Sequence, residues 1–531
     1  MSRTALQAKS PVHHTEEQSA ILAAAGSGDS LLIEAGAGTG KTTALLGVAQ
    51  RLARRRGLLM VYNRIAATAT APMLSGTGCE ARTLHSLAYR SALARPIAQS
   101  ERLKMALPGA RAAEAGGIRS RIGLDARGDR LLGIAAQGHL LKQWVSRYCH
   151  SDDDVLAIRH FPVASFRELV NPDILFPGLP EARERWQDLA RQVATSLLGA
   201  AQRLWAIMSG PDTQFPSTHD VYLKLYVMSR PRVPWDYVLL DEAQDANPLA
   251  LQFFNLARQQ GCQTVAVGDS HQQLYAWRGA VDAMRRITDT KRLALTQSFR
   301  FGSEVASVAN AVLALQGSDF RLAGLGPRGT VRGRIDRPTA IICRTNGEAI
   351  QAALDAAKRK RRAALCLNRD EMRHEIEILD RFRRDGKSTA RQYCMFRSFE
   401  ELEDLVDAGE LPEARILLKL IEEHGAQAAD ALIADMAVGK SAEAINGAGR
   451  DVVCLTAHAS KGLEFDRVML AEDFMPTRKE NEDDDDYRAR LAQHRDELNV
   501  FYVAVTRARR ALGVGNCALA RAVTGDSPSG R

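Results

Sequence analysis

In "EAGAGTGKTTALL", Glu34 to Leu46, a run of glycines ends in Lys-Thr where a helix should begin. Such a turn holds the phosphates of a nucleotide: backbone N–H groups wrap the β-phosphate, Lys41 reaches the β- and γ-phosphates, and the Thr42 hydroxyl can sit on Mg²⁺. A helix beginning there offers its positive end to the same anion. Gly36, Gly38, Thr39 and Gly40 make the turn, while Ala35 stands where the general pattern G-x-x-x-x-G-K-[ST] asks for glycine. A second cluster, "WDYVLLDEAQD", puts Asp241 and Glu242 at the end of an apolar run. One carboxylate can bind magnesium while its neighbour orients or deprotonates an attacking water. Two adjacent acids there would be costly without a cation.

These groups need a scaffold. Eight short runs, apolar at nearly every position, read as buried parallel strands of an α/β fold: 30–36, 57–63, 236–245, 263–269, 339–346, 451–458, 467–473 and 511–516. In such sheets ligands bind at the carboxyl ends of strands, where the glycines and acids fall. Two stretches break the rhythm. Residues of roughly 91–224, with the amphipathic "LGAAQRLWAIM", and roughly 371–450 have a helical pattern. The expected organisation is therefore one α/β domain from 1–90 and 225–300 with 91–224 inserted, and a second from 301–370 and 451–531 with 371–450 inserted. "KRKRR" (358–362) reads as a solvated helix end and "ENEDDDD" (480–486) as a loose loop.

The bulk properties narrow the class. A chain of 531 residues is too long for one core, and 45% apolar with 25% charged residues is globular composition. No run is long enough to span a bilayer, and the opening residues lack the apolar core of a secretory signal. Eight scattered cysteines without a C-x-x-C pair argue for a reducing cytosol and against a zinc or iron–sulfur site. The net charge of +8 leans toward a polyanionic partner.

"DEAQD" followed by "VGDSHQQLYAWRGA" (267–280) resembles superfamily 1 helicases of the UvrD/Rep/PcrA type. Further signatures follow in family order: "TEEQ" (15–18), "YNRIAATA" (62–69), "ARTLHSLAY" (81–89), "LTQSFR" (295–300), "LTAHASKGLEF" (455–465) and "YVAVTRAR" (502–509). "HDVYLKLY" (219–226) and "QSFRFG" (297–302) are similar to the F-box DNA helicase branch, without an F-box segment. The form A-G-x-G-[ST]-G-K-T is the one these helicases use, so Ala35 is a family marker.

The resemblance implies two RecA-like parallel-sheet domains, each with a mainly helical insertion, that hydrolyse ATP with Mg²⁺. It implies that Gln18 reads adenine, Phe299 stacks on it, and Gly462 and Glu464 touch the ribose or nearby backbone. Thr43 stands in the same nucleotide loop where UvrD itself carries an arginine, so one adenine contact is absent. Gln272 would sense the γ-phosphate, with Arg300 and Arg507 as arginine fingers, a role suited to an always-charged guanidinium. Thr42 and Asp241 are the expected magnesium residues.

The implied track is single-stranded DNA on the face opposite the nucleotide. Tyr275 and Trp277 would stack bases beside Arg278. Tyr62, Asn63, Thr83, His85, Arg344, Asn346, His458 and Lys461 would add stacking, phosphate and sugar contacts. Together these imply a 3′-to-5′ translocase and helicase acting on single strands and their duplex junctions, in repair or recombination, located in a bacterial cytoplasm at the nucleoid. Two other readings stay open: an ATP-driven remodeller stripping proteins from single strands, and the motor of a larger complex with a nuclease or recombination partner. The second insertion, about 80 residues, is shorter than its counterpart in UvrD, which bears on unwinding more than on translocation.

Overall fold

The computed structural model describes residues 14–524 other than 126–129, 177–179, 211–213, 275–282, 387, 389–392, 394–395, 397, 408–411, 439–448, 475–478 and 480–481. Six strands form the first sheet: Leu31–Ala35 (β1), Gly57–Met60 (β2), Cys79–Arg82 (β3), Tyr237–Leu240 (β4), Gln263–Gly268 (β5) and Lys291–Leu295 (β6). Their spatial order is β3-β2-β4-β5-β1-β6, every pair parallel. β2, β4 and β5 are buried at every position, as strands covered on both faces by crossover helices must be. Register does the positioning. Glu34 lies beside Gly268, and Leu240 beside Ala266. The loops that leave β1, β4 and β5 therefore open at one edge of the sheet.

Between β3 and β4 the chain is mainly helical, with Ile134–Cys149 and Ala182–Ser209 the longest helices. They close on Trp144, Tyr148, Phe166 and Trp186. The far end of the 28-residue helix Ala182–Ser209 is held by the buried Arg102. Its guanidinium donates to the carbonyls of Ile207, Met208, Gly210 and Phe215 at 2.6–3.1 Å, partnering carbonyls that a helix end leaves free.

Seven strands form the second sheet, again all parallel: Thr330–Arg332 (β7), Ala340–Cys343 (β8), Ala363–Cys366 (β9), Ala437–Val438 (β10), Val452–Thr456 (β11), Phe465–Leu470 (β12) and Ala508–Gly513 (β13). The order is β7-β13-β12-β8-β11-β9-β10. Helices Arg369–Asp385, Phe399–Asp407, Pro412–His424 and Ala426–Met436 follow β9 and pack on Phe382, Leu402 and Leu417. Helix Arg495–Val505 is buried from Leu498 to Val505, and its core takes in Ala37 and Leu274 from the first half of the chain.

Each of the eight apolar runs contains a strand. The acidic run differs from the expected loop: a helix starts at Asp484, with Asp483 accepting the Asp486 N–H as its cap. Among the described residues, no helix is long and apolar enough to cross a membrane, and the seven described cysteines are buried.

Candidate active site

The glycine loop runs from β1 into helix Lys41–Arg51, with Gly38 and Gly40 at φ of 74° and 83°. These are left-handed values that a side chain would strain. A Cβ on Gly38 would also lie 2.6 Å from the Cβ of Arg300, so the loop tolerates nothing larger there. Thr39 Oγ1 donates to Gly36 O at 2.9 Å and closes the turn. Lys41 Nζ donates to the carbonyls of Ala35 and Gly36 at 3.2 and 3.3 Å, within the loop whose phosphates it is expected to hold. Ala35 is fully buried and takes part through that carbonyl.

Parallel registry carries the acids to this loop. Thr42 Oγ1 donates to Asp241 Oδ2 at 3.2 Å. Burial, reinforced by Glu242, pushes the Asp241 carboxyl up to about 6. Burial acts the same way on Glu242, but Lys41 and Lys461 outweigh it and hold Glu242 below its ordinary value. Glu242 sits at φ 50°, a left-handed conformation for a residue with a side chain. Gln244 Nε2 donates to Glu242 Oε2 at 2.6 Å and aims the carboxylate. Thr42 and Asp241 are hard oxygen donors side by side, suited to a Mg²⁺ that takes its remaining ligands from phosphates and water. Among the described residues, no group of three or more His, Cys, Asp or Glu side chains could hold a metal.

The second half of the chain closes the cleft. Arg507, at the end of helix Arg495–Val505, is 1% exposed and donates to Gln272 Oε1 at 3.1 Å, to Val503 O and to Leu463 O. Burial, then the neighbouring Arg300, brings its guanidinium down to about 9, still cationic at neutral pH. Arg300 donates to Glu464 Oε2 and to Thr506 O, both at 3.1 Å. Gln272 Nε2 donates to Asp269 Oδ2 at 2.6 Å. The cleft, about 430 Å³, is lined by loop residues 38–43 with Glu242, Gln272, Phe299, Arg300, Lys461, Gly462, Glu464, Arg507 and Arg509. Phe299 stands at its rim, 48% exposed. The Gln18 amide lies just behind, 3.3 Å from where a side chain on Gly40 would begin. Thr15 and Gln18 also bond each other reciprocally at the start of helix Glu16–Gly26.

The residues expected on the DNA face are distributed differently. Lys461 enters the nucleotide cleft, pairing with the Asp245 carboxylate and donating to Gln272 O at 2.8 Å. Asp245 is buried, which pushes its carboxyl up to about 6, and a buried carboxylate at this position needs a cation beside it. Arg344 makes two bonds to Glu497, at 2.7 and 2.8 Å. The side chains of Asn63 and Thr83 cap helices, accepting from Ala66 N and Ser86 N. Asn346 begins the 13-residue helix Asn346–Lys358 after β8 and His458 lies in the short helix Ala457–Ser460 after β11, both half-buried. Tyr62, 59% exposed, and His85 line a cavity of about 510 Å³ together with Arg147 and His150 of the helical segment and the back of the 241–247 turn. His85 and His150 share Asp220, at 3.6 and 3.2 Å. Tyr275, Trp277 and Arg278 lie outside the described residues.

Sequence reading passed over two residues that brace the cleft. Tyr502, fully buried, donates to Asp269 at 3.4 Å and accepts from the Ala37 N–H at 3.5 Å, so it ties the second half to the phosphate loop. Glu34 accepts from Ser270 N and Oγ at 2.8 and 2.9 Å. Both lie inside the quoted motifs, "YVAVTRAR" and "EAGAGTGKTTALL", which was the available signal.

Residues 17–278 match the model of a family described as "AAA domain", and residues 338–518 match "UvrD-like helicase C-terminal domain". F-box DNA helicase 1 of Gallus gallus is 28% identical over 510 residues, covering 91% of this chain and 47% of the relative. F-box DNA helicase protein 1 of Schizosaccharomyces pombe is 28% identical over 544 residues, 91% of this chain and 55% of the relative. DNA helicase II of Escherichia coli is 28% identical over 134 residues, 24% and 18% of the two chains. The chain spans about half the length of the F-box relatives it matches.

Proposed function

We propose that this chain, which belongs to the UvrD-like superfamily 1 DNA helicases, hydrolyses ATP to move 3′ to 5′ along single-stranded DNA and to open duplexes ahead of it. The observation that carries the reading is Arg507, a buried cation from the second half, bonded to Gln272 over the acids and the phosphate loop of the first. The two sheets thus build one site between them, and a ligand that favours the closed arrangement can pull them together.

The geometry supports a role for each residue. Lys41 exchanges loop carbonyls for the β- and γ-phosphates, with adenine against Phe299 and beside Gln18 and Thr43. Magnesium, held by Thr42 and Asp241, would neutralise charge between the phosphates when bound. Glu242, kept ionised by Lys41 and Lys461, accepts the proton of the attacking water. Arg300 and Arg507 stabilise the charge that spreads over the transferring phosphoryl group. After cleavage that charge moves away from Arg507, and Gln272 passes the loss to Asp269 and Tyr502 at the joint between the halves. The single strand is assigned to Tyr62, Asn63, Thr83, His85, Arg344, Asn346 and His458, with Tyr275, Trp277 and Arg278. The work of such a motor is repair or recombination at single-strand/duplex junctions.

Wild type and Glu242→Gln are compared on 3′-tailed and 5′-tailed duplexes with ATP and Mg²⁺. Unwinding of the 3′-tailed substrate by wild type alone is expected. Equal unwinding by both proteins would overturn the assignment of Glu242, and preference for the 5′ tail would overturn the polarity.

A further inference from the structure

The "KRKRR" run does more than end a helix. β12, β8, β11 and β9 are neighbours, and the starts of β8, β11 and β9 gather Arg337, Arg359, Lys360, Arg361 and Arg362 beside Arg467 of β12. Hydrogen bonds lock the edge together. Arg361 donates to Pro338 O at 2.7 Å and Asp451 O at 2.9 Å, and Arg467 N donates to Thr339 Oγ1 at 3.0 Å. Burial chiefly holds the Arg361 guanidinium below its ordinary value, and Arg467 and Arg337 push the same way. Carboxylates beside these six cations include Asp451, 3.4 Å from Arg362, the exposed Asp336, Asp355 one helical turn from Arg359, and Asp466 next to Arg467, which is shared with Arg509 and Arg510.

Two further features separate this edge from ordinary solvated surface. Arg337 and Lys360 sit at φ of 49° and 58°. A residue with a side chain is strained there by on the order of 1 kcal/mol or more, and glycine would relieve it. Both turns nevertheless carry a cation. None of the exposed large apolar side chains among the described residues lies on this edge. A protein partner would need such anchors, and a single strand would need rings on which to stack its bases. The phosphates of a duplex need only charge and donors.

We propose that this edge binds the backbone of double-stranded DNA, apart from the single-strand track. Arg344, at the far end of β8, is four strand residues away, about 13 Å at ~3.3 Å per residue. The surface would hold the duplex flanking the junction while the cleft cycles. It rests on reading the chain as a DNA motor, and the test separates the two.

Arg337→Gly/Lys360→Gly removes two cations at positions where glycine is the relaxed residue, so the variant should fold at least as well as wild type. Affinity for a blunt duplex is measured by anisotropy between 50 and 200 mM salt, with no nucleotide. Each lost phosphate contact makes the slope of log K against log salt shallower by ~0.9, so a change of about 2 is expected. Arg359→Glu should weaken duplex binding further. ATPase activity stimulated by a short oligo-dT should stay at the wild-type level in both. Wild-type slopes in both variants would overturn the proposal, as would a polyglutamate peptide displacing the duplex at equal charge concentration. Absence of oligo-dT stimulation in wild type, with the duplex slope still reduced in the variants, would instead overturn the motor reading and leave the surface standing.

Discussion

The nucleotide cleft and the outer face assigned to DNA use their motif residues in contrasting ways. In the cleft, side chains hold one another across the chain: Arg507 meets Gln272, Lys461 meets Asp245, Tyr502 meets Asp269 and Thr42 meets Asp241. On the outer face Asn63 and Thr83 hold the local fold as helix caps, while Arg344 is taken up by an ion pair with the distant Glu497. Buried charges must be partnered whether or not ligand is present, so the cleft arrives assembled. An outer track can use exposed rings and helix caps that keep their structural work.

This contrast can be broken by substitution. Glu242→Gln should lower kcat of the DNA-stimulated ATPase by roughly 10²–10⁴ while ATP binding persists, since the residue acts on a proton and not on affinity. Chelating Mg²⁺ should abolish turnover to the same background. On the outer face effects should be graded. Tyr62→Ala removes an exposed ring and should weaken single-strand affinity by ~1–3 kcal/mol, the value of one stacked base, with basal ATPase unchanged. Asn63→Ala should cost about 1 kcal/mol of stability through its cap, whereas Asn63→Asp keeps the cap. Asn63→Asp should therefore retain the wild-type melting temperature and lose single-strand affinity a few-fold. Unchanged affinity would take Asn63 off the track.

The smallest effect concerns acid stability. Asp220 is penalised by burial, but His150 and His85 more than compensate and hold its carboxyl well below the usual range. Its contribution is therefore present above the unfolded carboxylate value, near 3.9, and is lost as pH falls toward the folded one. Wild type should lose stability more steeply below about pH 4 than Asp220→Asn, as urea midpoints at successive pH values would record.

Much of this was legible from local signals. The central strands showed as apolar runs because both faces of a parallel strand are covered. β3 and β6 escaped that reading: "CEAR" and "KRLAL" are edge strands with polar positions facing solvent. β9, "AALC", was hidden behind the basic run that precedes it. In the cleft, Lys41, Thr42, Asp241 and Glu242 were readable because phosphate and metal chemistry demand those types at that spacing. The pairing of Lys461 with Asp245 was not legible, because the two are 216 residues apart in sequence. Spacing carries no record of such a pair, and only the closing of one sheet over the other creates it.

The central claim is that the second half completes a catalytic site built by the first, and Arg507 tests it most directly. Steady-state ATPase is measured for wild type and Arg507→Ala at saturating single-stranded DNA, alongside binding of a fluorescent ATP analogue. The account predicts that the analogue still binds and that kcat falls by ~10³ or more, the worth of an arginine finger. A kcat within a few-fold of wild type would contradict it, because the first half would then hydrolyse ATP without the second.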